Sequence, residues 1–176
     1  FNELLVVSDG AEARAGTISA PYNWFLPWKS VNGEEPPSDF FVQLDVLLEG
    51  IFEHRRFLDI LQNFVFFEDE RTGTVKKLAA YHQYHVVNKA IEATRQATSP
   101  QGDRRIGVVW HTQGSGKSLS MIFFSQKILR TVPGNWTFVI VTDRNELDGQ
   151  IYKTFAATGA VTEVEAQATS GAHLNQ

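Results

Sequence analysis

Residues 107–124 read GVVWHTQGSGKSLSMIFF. An apolar run of strand character enters a turn carrying two glycines. Lys117 and Ser118 then open a run of helical length. No other stretch limits the fold as strongly. The pattern predicts a strand over 106–110, a turn over 111–116 and a helix over 117–130. A loop at 131–135 and a second strand over 136–142 complete the unit. Two parallel strands need such a crossover helix. Leu119, Met121, Ile122, Phe123, Phe124, Ile128 and Leu129 make this helix apolar nearly all round. It should therefore be covered on more than one side, as in an α/β sheet.

The turn HTQGSGKS (111–118) has its own chemistry. Gly114 and Gly116 let the backbone fold tightly with its N–H groups turned inward. Such a nest beside a helix N-terminus binds anions. Lys117 supplies a point charge for the outer phosphates, and it is the one residue assigned a catalytic role. Ser118 offers a hydroxyl to a Mg²⁺ ion bridging phosphate oxygens. The pattern is the P-loop, G-x-x-x-x-G-K-[ST], with one departure: His111 takes the first position. It strains the entry to the turn and leaves the inner glycines intact.

A P-loop alone names no reaction. Hydrolysis also needs a carboxylate for Mg²⁺ and water, usually after an apolar strand. FVIVTD, ending at Asp143, is the one candidate, and it is rejected. Arg144 and Asn145 follow Asp143 where a Glu is expected, and Thr142 interrupts the apolar run. No arginine finger is assignable either. Poor to moderate nucleotide binding with negligible hydrolysis is the expectation for this chain alone.

Composition narrows the class further. There is no cysteine, which excludes a disulfide framework and fits a reducing compartment. No apolar run approaches a membrane span, and no signal peptide is visible. Thirteen Phe and four Trp mark core-forming sequence. A formal net charge of −4 leaves any nucleic-acid contact to local patches. The chain starts on Phe, and a helix-start signal at Ser170 comes shortly before its last residue, so it reads as a piece of a longer protein.

Upstream of the P-loop, residues 2–8 predict a buried strand and 15–19 a return strand. Residues 20–38 form an ordered loop rich in Pro and aromatics. Ser38 is read as the cap of a helix over 39–52, with Phe41, Leu44, Leu47, Leu48 and Ile51 on one face. A second helix spans 53–63. Residues 64–81 predict two strands around Thr72-Gly73, and a helix follows over 81–97. The Ala/Thr-rich tail is weakly patterned.

GDRRIGVVWHTQGSGKSLSMIFF followed by VIVTDRNELDGQIYKTF resembles the restriction (R) subunit of type I restriction-modification enzymes. FNELLVVSDGAEARAGTISAPYNWFLPW, RRFLDILQNFVFFED and VKKLAAYHQYHVVNKAI extend the resemblance over about residues 1–158. It implies a nuclease domain joined to a superfamily 2 helicase-type translocase with two RecA-like domains. In that family the motor pumps double-stranded DNA with ATP and Mg²⁺ and docks on modification and specificity subunits, in the cytoplasm of a bacterium or archaeon. No membrane partner is implied. The fold class implied is α/β: a partial RecA-like P-loop motor domain preceded by the end of a nuclease domain and a helical connector. The corresponding boundaries are 1–37, 38–63 and 64–176.

The resemblance also implies roles for single residues. Gln83 aligns with the glutamine that reads the adenine edge, which suits an amide that donates and accepts at once. Thr112, Gly114, Ser115, Gly116, Lys117 and Ser118 map onto the phosphate cradle. Thr142, Asp143 and Arg144 map onto a motif touching the DNA backbone. The family's nuclease pattern Asp…Glu-x-Lys has no counterpart here, since no Glu-x-Lys occurs in the chain. DNA cleavage is therefore not assigned to it.

Other features read as structural. His82 and His85 are taken as packing or surface histidines in preference to a metal pair. Arg104-Arg105 reads as a solvated pair, 67–71 as a charged hairpin edge and the aromatics at 20–28 as core. Two rival functions remain: an unrelated P-loop nucleotide or metabolite kinase, and a non-catalytic docking module. The first lacks an Arg-rich lid downstream of the P-loop. The second would leave the P-loop without a ligand.

Overall fold

A computed structural model of the chain describes residues 3–34, 42–70, 73–142, 145–157 and 168. It is a mixed α/β structure with two small antiparallel ribbons and five helices among the described residues.

The first ribbon pairs β1 (Leu5–Ser8) with β2 (Ala13–Gly16), Leu5 opposite Gly16. The expected buried strand is in fact half-exposed. β2 carries the burial, with Ala13 and Ala15 inward, and begins two residues earlier than the sequence suggested. Asp9 explains the early return: its carboxylate accepts from the Ala11 and Glu12 amides and closes a tight turn. The aromatic stretch at 20–28 is core-forming, as expected. It makes a short 3-10 turn (Tyr22–Trp24), bridges back from Leu26 to Ala15, and buries Phe25 and Trp28.

Helix α1 (Gln43–Phe52) turns Val46, Leu47 and Ile51 inward and leaves Leu48 exposed. Ser38 and Phe41, the expected cap and first face residue, lie outside the described residues. Helix α2 (His54–Asn63) starts where the Glu53 carboxylate accepts from the Arg55 and Arg56 amides, a side-chain N-cap. The second ribbon pairs β3 (Val65–Glu70) with β4 (Gly73–Leu78), Val65 opposite Leu78. Helix α3 (Tyr81–Thr98) and helix α4 (Lys117–Thr131) pack on each other. The sequence reading missed helix α5 (Asn145–Ala157), although Ile151 and Phe155 stand four apart, one helical turn.

One core joins these pieces. Ala13, Trp28, Leu47, Ile60 and Phe64 share a cluster with Val87, Phe123 and Ile128. Ile122, on another side of α4, meets Ile151 and Phe155 of α5. The expected double coverage of the crossover helix is therefore present. The two strands meant to flank it are not formed. Neither 106–110 nor 136–142 pairs with another strand among the described residues. Val108 is 96% exposed and Trp110 81%. A strand is held by hydrogen bonds to a neighbour, and these apolar runs have none beside them.

Candidate phosphate-binding site

The P-loop turn lies against the first turn of α3. Gly114 and Gly116 occupy the left-handed region at φ 80° and 76°. Glycine adopts this conformation without the Cβ clash that other residues meet. Gly116 is also the N-cap of α4, and no side chain caps that end. The first amides of a 15-residue helix therefore open on the turn.

Lys117 is exposed and folds back. Its Nζ donates to the carbonyl oxygens of Thr112 at 2.9 Å and His111 at 3.2 Å. An ammonium held by neutral carbonyls suits an incoming anion. Ser118 is half-buried in the first turn of α4, while Thr112, Gln113 and Gly114 are exposed. Ser115 Oγ and His111 Nδ1 are buried without a hydrogen-bond partner. An uncapped helix N-terminus, an ammonium held only by carbonyl oxygens and an unused hydroxyl together fit a phosphate chain. The Ser118 hydroxyl beside it suits a hard cation such as Mg²⁺.

Two side chains of α3 hold the turn. Gln83 is only 4% exposed. Its Nε2 donates to the Gly116 carbonyl at 3.0 Å, and its Oε1 accepts from the Ala80 amide at 2.9 Å. His82 Nε2 lies 3.0 Å from the Ser115 carbonyl oxygen. The His82 ring stands edge-to-face on His111, with centroids 5.3 Å apart. Burial, and after it the charges of His82 and Lys117, hold His111 below its usual value.

The structure thus brings Gln83 together with Thr112, Gly114, Ser115, Gly116, Lys117 and Ser118. Thr142 is half-buried at the end of the second apolar run, 24 residues beyond Ser118 in sequence. Asp143 and Arg144 lie outside the described residues. The two histidines part company: His82 turns to the P-loop and His85 to the Ser30 carbonyl, 3.2 Å from its Nε2. Arg104 and Arg105 are exposed. In the charged hairpin, Glu68 pairs with Lys77, and Asp69 accepts from Thr74 Oγ1 at 2.6 Å. The sequence reading missed the contact of His82. Its position beside Gln83 on the opening turn of a helix was the available signal.

The sequence profile of the SWI2/SNF2 ATPase family matches residues 82–176, more than half of the chain, beginning at His82 and taking in the P-loop. The chain belongs to that family. Its relatives define a narrower group. It is 48% identical, over 89% of its length, to the type I restriction enzyme HindI endonuclease subunit of Haemophilus influenzae. It is 30% identical, over 93% of its length, to a Methanocaldococcus jannaschii protein named as the type I restriction enzyme MjaIXP endonuclease subunit. The matched regions make up 15% and 17% of those proteins. The resemblance to the R subunit therefore holds, and the chain spans about a sixth of the curated relatives it matches. Among the described residues no helix is long and apolar enough to cross a membrane.

Proposed function

We propose that this chain is the ATP-binding part of a type I restriction enzyme R subunit. In this reading the subunit couples ATP hydrolysis to translocation of double-stranded DNA and to its cleavage, in complex with modification and specificity subunits. One observation carries the reading. A left-handed Gly116 opens α4 with Lys117 beside it, and α3 grips the turn from behind.

Mg²⁺, when bound, neutralises charge on the outer phosphates of ATP. The residues of this chain do the rest. The amides of Gly114, Ser115 and Gly116 and the Lys117 ammonium hold the phosphates, with Thr112 at the rim. Ser118 offers its hydroxyl to the cation. Gln83 keeps one N–H and one lone pair beyond its two bonds, which suits adenine readout. Thr142, Asp143 and Arg144 would face the DNA backbone.

The RecA-like sheet belongs to the same proposal. Residues 106–110 and 136–142 would take their places as parallel strands, with α4 as the crossover. Their exposed Val108, Trp110, Val139 and Val141 support this. The boundaries 1–37, 38–63 and 64–176 remain the proposed division, although the pieces share one core.

ATP hydrolysis by the complete subunit, with and without linear duplex DNA, tests the reading. The expected result is hydrolysis that rises when duplex is added. Hydrolysis indifferent to DNA, but stimulated by a small phosphate acceptor, would support a kinase instead.

A further inference from the structure

We infer that His82 is a positioning residue of the nucleotide site: its ring N–H, donated to the Ser115 carbonyl, fixes the peptide that aims the Gly116 amide. The inference rests on the P-loop reading and adds a residue to it.

A carbonyl oxygen can only accept, so the His82 nitrogen at 3.0 Å must carry the proton. In a planar trans peptide the C=O of one residue and the N–H of the next point in opposite directions. With the Ser115 carbonyl turned to α3, the Gly116 N–H is turned away from α3.

The next peptide needs no such help. The Gly116 carbonyl accepts from the Ser120 amide at 3.1 Å as well as from Gln83, so α4 itself sets its direction. The Ser115 carbonyl precedes the helix and has no helical partner. Flipping that peptide changes ψ of Ser115 and φ of Gly116, and a glycine tolerates either sign of φ. The glycine that makes the turn possible therefore leaves this peptide free to invert. His82 is the side chain placed to prevent it. Its ring is itself fixed, edge-on to Tyr81 at 5.4 Å and to His111 at 5.3 Å.

A lost orienting bond should raise KM for ATP and leave kcat nearly unchanged, because the peptide must be turned back each time nucleotide binds. Four variants of the complete subunit separate the possibilities, read by Mg²⁺–ATP affinity and by steady-state hydrolysis on duplex DNA. His82→Gln keeps an N–H at the position of Nε2 and should bind within about twofold of wild type. His82→Asn is one bond too short and should bind about tenfold more weakly, with KM raised and kcat held. His82→Phe keeps the ring without the donor and should match His82→Asn. Lys117→Ala is the reference for loss of the site. The Gln and Asn pair carries the comparison even if the His82→Phe protein is unstable, since the two differ by one methylene.

Equal affinity for His82→Gln and His82→Asn, with Lys117→Ala impaired, overturns the role of His82 and leaves the P-loop reading standing. Wild-type affinity in Lys117→Ala overturns both.

Discussion

Lys127 Nζ lies 2.6 Å from Asp59 Oδ2 and 2.6 Å from Asn88 Oδ1, which ties the far half of α4 to α2 and to α3. The helix that begins at the phosphate turn is thus anchored, three turns on, to a segment that precedes the family-matched region. Lys127 is only 6% exposed, and it sits 4.9 Å over the ring of Phe64. Burial pulls its pKa down while Asp59 pulls it up. Asp59 also accepts from Asn63 Nδ2 at 2.8 Å, so its remaining lone pairs are not wasted.

Removing one partner of such a pair leaves a buried charge uncompensated. Asp59→Ala should cost about 3 kcal/mol or more of stability, and the Asp59→Leu/Lys127→Met double variant should recover most of it. Denaturant unfolding of wild type and both variants is the measurement. A double variant no more stable than Asp59→Ala would contradict the pairing.

Phe123 is buried between Phe64, 5.5 Å away, and Phe66, 5.6 Å away. Its truncation opens a cavity where α4 meets the end of α2 and β3. Phe123→Ala should destabilise by about 3–5 kcal/mol. Hydrogen exchange should rise in α2 and β3 as well as in α4, because they share this core.

The two P-loop glycines should respond differently to substitution. A Cβ on Gly116 would stand 2.6 Å from Gln83 Nε2, whereas one on Gly114 would meet nothing within 4 Å. Both are in the left-handed region, so each alanine carries about 1–2 kcal/mol of backbone strain. Only Gly116→Ala also displaces Gln83. It should reduce ATP affinity by well over about tenfold, and Gly114→Ala by less, as titration with Mg²⁺–ATP would register.

Stability should fall as the solution is acidified below the ordinary histidine range. Burial, followed by the charges of Arg56 and Lys89, holds His85 below its usual value of 6.5, with the Ser30 carbonyl opposing. The unfolded chain therefore takes up a proton first. The stabilisation is complete above pH 6.5 and is lost as the pH drops through the folded value. His111 acts in the same sense at the turn. Unfolding midpoints between about pH 7.5 and about pH 5.5 should fall in wild type and fall less in His85→Gln.

Much of this was legible in the sequence. Both ribbons, the helices from α1 to α4 and the phosphate turn follow from local signals: glycine turns and helical spacing. What failed depended on neighbours. Residues 106–110 and 136–142 have strand composition, but strands form only by pairing, and composition cannot supply a partner. The burial of Lys127 was hidden because a lysine in a helix reads as solvated until Asp59, 68 residues away, is seen beside it. Gln83 and His82 meet the turn 33 residues along the chain, a contact no periodicity reveals.

Binding of Mg²⁺–ATP to the complete subunit, in wild type and in Lys117→Ala, bears most directly on the account. The wild type should take up one nucleotide per chain, and the alanine variant should lose at least about tenfold in affinity, the share of one ammonium on a phosphate. Equal affinity in the two proteins would mean that residues 111–118 are not where the triphosphate sits.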